Sequence, residues 1–158
     1  MTIRPLSSSD FDWVLALNAA NEVETSAIDE TWLEAMSQTW FRASAAGAYE
    51  AFLIAFDEAA AYTSPNFLWF RERFARFVYV DRVVVSADAR GRGLARVLYE
   101  DMFVHARRSD RVRIVCEVNV DPPNPASDIF HERLGFVEVG KSALASGKTV
   151  RYLSRDLY

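Results

Sequence analysis

Arg90-Gly91-Arg92-Gly93-Leu94-Ala95-Arg96 follows the apolar run Val83-Val84-Val85 and leads into a stretch with helical spacing. A strand, a glycine turn and a helix start are read here in one breath. The first turn of a helix has unpaired N–H groups and the positive end of the helix dipole. Glycines let a ligand approach that backbone without Cβ interference. Arg90, Arg92 and Arg96 add positive charge where a pyrophosphate would sit. The plainer alternative is a strand–turn–helix whose glycines serve packing alone. Among phosphate binders, the P-loop needs Gly-Lys followed by Ser or Thr, and this turn has Arg and Leu there. The dinucleotide fingerprint needs a third glycine where Arg96 stands. Neither pattern is met.

Working outward, residues 77–85 form the clearest strand, rich in Val and Tyr. A loop over 86–90 leads to a helix over 91–108, then a strand over 111–118 and a loop over 119–124. Pro125 suits a helix start and Gly135 its end. Residues 136–140 and 149–157 read as closing strands. Upstream, residues 3–6 form a short strand, and Ser9 or Asp10 caps a helix with Phe11, Val14, Leu15 and Asn18 at helical spacing. Asp29 caps a second helix bearing Trp32, Leu33 and Met36. Residues 40–45 and 48–56 form a hairpin turning at Ala46-Gly47. Residues 57–76 read as a long loop with a turn at Ser64-Pro65-Asn66. Its Tyr62, Phe67, Trp69, Phe70 and Phe74 either line a ligand pocket or cover a core edge.

The order is mixed α/β, with helices interrupting a sheet. At 158 residues, one domain over 1–158 is expected. The net charge of -4 argues against nucleic acid, whose phosphates call for excess Lys and Arg. Neither a secretory signal nor a membrane-length apolar run is evident, so a cytoplasmic protein without a membrane partner is expected. Cys116 cannot form an internal disulfide and reads as core packing in the apolar run 112–118. No metal site is expected.

Arg90, Gly93 and Ala95 meet the pattern Arg/Gln-x-x-Gly-x-Gly/Ala after an apolar strand. Downstream stand Glu117-Val118-Asn119, Asn124, Ser127, Phe130 and His131-Glu132-Arg133-Leu134-Gly135-Phe136. In this order the segments resemble the GNAT superfamily of N-acetyltransferases, where Glu-Val-Asn, Asn-x-x-Ala and Phe-Tyr-Glu-Lys-Leu-Gly-Phe are common. The resemblance is most specific over 77–136. It implies a mostly antiparallel sheet of about seven strands flanked by helices, and acetyl-CoA as cofactor. Backbone groups of Val83, Val84 and Val85 would hold the pantetheine arm as an added strand. Gly91, Arg92, Gly93, Leu94, Ala95 and Arg96, with Arg90, would bind the pyrophosphate. Asn124, Ser127 and Phe130 would meet the pantetheine or thioester end. The strand around Val83 would diverge from that around Cys116 and open a slot.

The resemblance further implies transfer of an acetyl group to an amine on a small molecule or peptide. Glu117 is the first candidate for the base, although its distance from Asn124 is two residues longer than the family usually has. Asp81 is the second: alternation places Tyr79, Asp81 and Val83 on one face, and the family's strand-borne base stands at the position of Tyr79. An ion pair of Asp81 with Arg82 or Arg76 is the competing reading. Where the family often uses a tyrosine acid, this chain has His131, whose imidazolium could protonate the thiolate; the competing reading is that His131 only packs beside Phe130 and water is the acid. His105 reads as structural. Glu22, Glu24 and Asp29, with Tyr62 and Trp69, fall on the expected acceptor side and would favour a cationic amine, although solvated acidic surface explains the charges as well. A CoA-sensing module without catalysis is the alternative, and an interaction domain using residues 57–76 the third. A homodimer is compatible with the resemblance.

Overall fold

The strand over Val78–Val85 (β4) lies at the centre of the sheet. The computed structural model describes residues 2–22 and 25–158. Its seven strands are ordered β1 (Ile3–Pro5), β2 (Arg42–Ala46), β3 (Ala51–Asp57), β4, β5 (Arg113–Asp121), β7 (Thr149–Asp156) and β6 (Val137–Ala143). Every neighbouring pair is antiparallel except β4 and β5. That parallel pair is joined only at Val78↔Ile114 and Tyr79↔Val115. Past Tyr79 and Val115 the two strands have no ladder between them, so the sheet opens at its middle.

Helices cover both faces. Helix α4 (Leu94–Arg108) buries Leu94, Leu98, Tyr99, Met102, Phe103 and Ala106, one stripe at helical spacing. His105, Arg107 and Arg108 suit the negative end of its dipole. With α5 (Pro125–Arg133) it covers the face carrying Leu53, Val78, Val80, Ile114, Cys116 and Leu153. The other face carries Phe52, Ile54, Phe56, Tyr79, Val84, Val115 and Tyr152. Helices α1 (Phe11–Ala19), α2 (Glu30–Ser37) and α3 (Pro65–Arg71) lie over it. Alternate residues of each strand therefore feed two separate cores.

Helix α3 corrects the reading of residues 57–76 as loop. Ser64 and Pro65 are its N-cap and first residue, and the turn signal was a helix start. Phe67 and Phe70 are fully buried on one side of it. Three smaller differences follow from backbone chemistry. Helix α4 begins at Leu94, because Gly91 and Gly93 have φ of 79° and 77° and form the turn itself. The β2–β3 turn lies beyond Ala46, with Gly47 and Tyr49 both left-handed. Strand β5 runs to Asp121, into the expected loop, because β7 pairs with it that far. At the N-terminal side, Asp29 caps α2 by accepting from the Trp32 N–H at 2.8 Å.

A bulge in β4 corrects the alternation read around Asp81. Ala55 pairs with Val80 while Ile54 pairs with Arg82, which leaves Asp81 as an extra residue. Asp81 and Arg82 both turn to the α1–α3 side, where Tyr62 and Trp32 meet them. Val83 is thereby shifted to the α4 side, opposite Tyr79.

Candidate active site

On the α4 side, the first N–H of the helix bonded along its axis is that of Val97, to the Gly93 carbonyl at 3.1 Å. The preceding N–H groups are left for a ligand. A Cβ at Gly91 or Gly93 would meet nothing within 4 Å, so the space over the turn is open. Leu94 is buried beneath the turn and Ala95 partly so. The three arginines are exposed. Arg90 reaches Asn21 at 2.9 Å, Arg92 pairs with Glu50, and Arg96 pairs with Glu100 at 3.0 Å. Exposed pairs of this kind contribute little and exchange readily for a stronger anion.

The strand edge beside this turn is also open. Val83, Val84 and Val85 pair with Leu53, Phe52 and Ala51 of β3; the Ser86 N–H bonds the Glu50 carbonyl at 2.7 Å, so strand alternation turns the backbone groups of Val84 toward β3 and those of Val83 and Val85 away from it. The N–H and C=O groups of Val83 and Val85 face the opening toward β5 and have no ladder partner. Across the opening, Asn124 caps α5, its side chain accepting from the Ser127 N–H at 3.3 Å. Phe130 packs edge-on against Tyr99, with ring centroids 5.3 Å apart.

His131 is 5% exposed, and both ring nitrogens are engaged. Nδ1 lies 2.8 Å from the Ser127 carbonyl and must donate to it. Nε2, 2.8 Å from the Tyr99 hydroxyl, then accepts. Burial lowers the imidazole pKa, which favours this neutral form. The ring is therefore a tie between α4 and α5, and the mobile proton of the pair sits on Tyr99. Cys116 lies on the same side, buried, its thiol pushed up chiefly by burial.

On the opposite face, Glu117 stands two residues beyond the last β5 residue paired to β4. It is partly buried. The Tyr79 hydroxyl donates toward its two oxygens at 2.8 and 2.9 Å, and the Asn66 amide donates at 3.1 Å. Asn66 in turn accepts from the Tyr152 hydroxyl at 2.9 Å. Trp69 of α3 stacks on Tyr152 at 4.1 Å and presses against Gly140, where a Cβ would collide with the indole. Burial, and next the charge of Asp81, push the Glu117 pKa up to about 8; the hydrogen bonds oppose this.

Asp81 is spoken for. Its carboxylate accepts from Tyr62 at 2.7 Å and pairs with Arg82 at 2.7 Å, both charged side chains being almost fully buried. Arg82 also reaches Asn18 at 3.0 Å and the Ser26 carbonyl at 2.8 Å, and lies over Trp32. The ion-pair reading of Asp81 describes this arrangement. Glu22 is exposed and Asp29 is spent on its cap, while Glu24 lies outside the described residues.

An opening in a parallel strand pair, a glycine-started helix on one side and a high-pKa carboxylate on the other form one constellation. The sequence profile of the Acetyltransferase (GNAT) family matches residues 15–136. The chain belongs to that family. Acetyl-CoA is the cosubstrate of GNAT acetyltransferases, and the open turn and free strand edge fit it. No curated protein sequence matches the chain. Among solved structures, an N-acetyltransferase of Staphylococcus aureus Mu50 aligns with TM-score 0.73 and 18% identity over 99% of this chain and 98% of that one. The ribosomal-protein-alanine N-acetyltransferase of Brucella melitensis aligns with TM-score 0.72 and 19% identity over 99% of each. The protein yncA of Salmonella typhimurium, solved with its cofactor acetyl-CoA, gives 0.70 and 20% over 100% and 94%. These likenesses are of fold. Within this GNAT domain, Asn66 and Tyr99 were not anticipated as site residues. Ser64-Pro65, read as a helix start, would have raised Asn66; nothing local marks Tyr99, whose partner is 32 positions away.

Proposed function

We propose that this GNAT chain moves an acetyl group from acetyl-CoA to an amine, with Glu117 as the base. The observation that carries the reading is the Glu117 carboxylate, held by Tyr79 and Asn66 at the mouth of the β4–β5 opening, where burial pushes its pKa up to about 8. A base titrating near the working pH is well matched to taking a proton from an alkylammonium. Glu117 first takes a proton from the ammonium, directly or through water, and the neutral amine nitrogen then bonds to the thioester carbonyl carbon. The oxyanion that forms is within the province of the free N–H groups of Val83 and Val85 on the β5-facing edge of β4. Collapse breaks the C–S bond; the second proton lost by the nitrogen balances the one that the thiolate takes up on the α4–α5 side.

The remaining residues divide by face. Gly91, Arg92, Gly93, Leu94, Ala95 and Arg96, with Arg90, hold the pyrophosphate, chiefly by backbone N–H groups. Asn124, Ser127 and Phe130 line the pantetheine end. Asp81 acts as a fixed charge that raises Glu117, and its own ion pair keeps it from serving as the base. His131 positions the Tyr99 hydroxyl, through which a proton reaches the sulfur. Trp69, Tyr152 and Tyr62 wall the acceptor side and suit an amine presented beside aromatic rings.

The test is acetyl-CoA binding by intact-complex mass spectrometry, followed by thiol release across a panel of primary amines. Binding at micromolar levels with amine-dependent release is expected. Absence of binding would remove the whole reading. Binding with no release from any amine would favour a CoA sensor.

A further inference from the structure

Helix α3 meets the sheet along one row of residues. Glu117 of β5 is the ladder partner of Tyr152 in β7, and Tyr152 is in turn the partner of Gly140 in β6. Ladder partners share a face, here the α1–α3 side to which Tyr152 belongs. Two side chains of α3, one helical turn apart, come down on that row. Asn66 bridges Glu117 and Tyr152, and Trp69 lies on Tyr152 and against Gly140.

Asn66 has one orientation there. A carboxylate only accepts, so the amide NH₂ must be the end turned to Glu117, at 3.1 Å. Its carbonyl oxygen is then left to accept from the Tyr152 hydroxyl at 2.9 Å. Trp69 fixes the helix that carries it. The indole stacks on Tyr152 with ring planes 19° apart, and the Arg73 guanidinium lies over the same indole at 3.9 Å. The indole edge fills the space that a Cβ at Gly140 would take. Gly140 is not among the glycines of positive φ, so its bare backbone serves this close approach.

We propose, resting on Glu117 as the base, that Asn66 is a positioning residue for the Glu117 carboxylate and that the seat of Trp69 on Tyr152 and Gly140 holds it there. The titratable and charged groups around Glu117 are Tyr79 and Asp81 of β4, the latter with its partner Arg82, then Tyr62 ahead of α3, Tyr152 of β7 and Arg73 beyond α3. A substitution at Asn66 leaves all of them in the chain and removes one neutral donor. That donor favours the charged form of Glu117, so its loss raises the carboxyl pKa.

The experiment follows two quantities against pH: the titration of the Glu117 side-chain carboxyl by ¹³C NMR, and kcat/KM with an amine that supports thiol release. Asn66→Leu removes the donor without opening room for water. The Glu117 midpoint should rise by about one pH unit, the worth of one hydrogen bond to a charged group. Tyr152→Phe frees the amide to turn, and Gly140→Ala, two strands from Glu117, lifts Trp69 from its seat. Both should move the midpoint in the same direction by less. A rate lowered evenly at every pH, with the Glu117 midpoint unmoved, is a structural effect alone and overturns the proposal. A midpoint that moves while the rate profile does not would keep Asn66 in its place and remove Glu117 as the base, so the two failures are told apart. Should Asn66→Leu fail to fold, an unmoved midpoint in Tyr152→Phe and Gly140→Ala overturns the proposal in its stead.

Discussion

On the α4–α5 side of the sheet opening, charge stands at the surface in pairs that exchange with solvent: Arg92 with Glu50, Arg96 with Glu100. On the α1–α3 side it is buried: Asp81 with Arg82, and Glu117 among Tyr79, Asn66 and, beyond it, Tyr152. The first arrangement suits a ligand whose phosphates bring their own charge and displace weak partners. The second suits chemistry, because a low-polarity surrounding moves a pKa and exposed pairs do not. The same two strands supply both, by sending alternate residues to opposite faces. The comparison predicts that substitutions on the buried side disturb rate or folding, and that those on the exposed side disturb cofactor affinity.

The largest expected effect is that of Glu117→Gln. Above pH 8 it should lower kcat/KM by roughly 10²- to 10⁴-fold, the usual worth of a general base, while acetyl-CoA affinity changes little. In the unsubstituted enzyme kcat/KM should rise with pH through an apparent pKa near 8, and the variant should lack that limb. Asp81→Asn should move the limb to lower pH, because the charge that raises Glu117 is gone. Stability carries the same signature with opposite sign. The folded protein holds the Glu117 proton up to about 8, against an ordinary 4.5, so this contribution is fully present below about 4.5 and lost as pH rises through 8. Urea unfolding at pH 5 and pH 9 should show a smaller difference in Glu117→Gln. An unaltered rate profile in that variant would take the base away from the α1–α3 face.

Arg82→Ala comes next, and it tests burial rather than catalysis. The substitution leaves Asp81 as a buried carboxylate without its cation and frees Asn18 and Ser26 from their shared donor. Removing one partner of a buried pair costs about 3–5 kcal/mol. Arg92→Ala, on the exposed side, should cost no more than about 1 kcal/mol. Thermal unfolding of the two variants side by side measures the difference between the faces. Equal losses would dissolve the contrast.

What the sequence disclosed follows the same division. The α4 turn was legible because a glycine turn at a helix start is local chemistry: Gly91 and Gly93 need positive φ, and six consecutive residues carry the motif. The mostly antiparallel sheet of about seven strands and the opening followed from the resemblance, whereas the order β1-β2-β3-β4-β5-β7-β6 did not. The α1–α3 face was not legible in this way. Its contacts join Asn66 to Glu117 and Tyr152, residues far apart in the chain, and its helix was hidden in an aromatic segment without clean periodicity. The bulge at Asp81 changes which residues share a face, yet nothing in Val80-Asp81-Arg82-Val83 announces one. His131 was identifiable by position, but its state was not, because Tyr99 reaches it from another helix.

That pair offers the smallest and most discriminating test. Tyr99→Phe deletes one hydroxyl and leaves His131 Nε2 buried with no donor, which should cost about 1–3 kcal/mol of stability. A merely structural tie would stop there, with kcat/KM following the fraction folded. If Tyr99 passes a proton to the sulfur, kcat should fall for amine acceptors while KM for acetyl-CoA holds. The loss should shrink with acyl thioesters of lower leaving-group pKa, whose thiolates need no acid. His131→Phe should then behave as Tyr99→Phe does, and the double substitution should add little to either, since the two act as a unit. Independent, additive effects would mean that His131 and Tyr99 serve the α4–α5 side separately, one of them through packing alone.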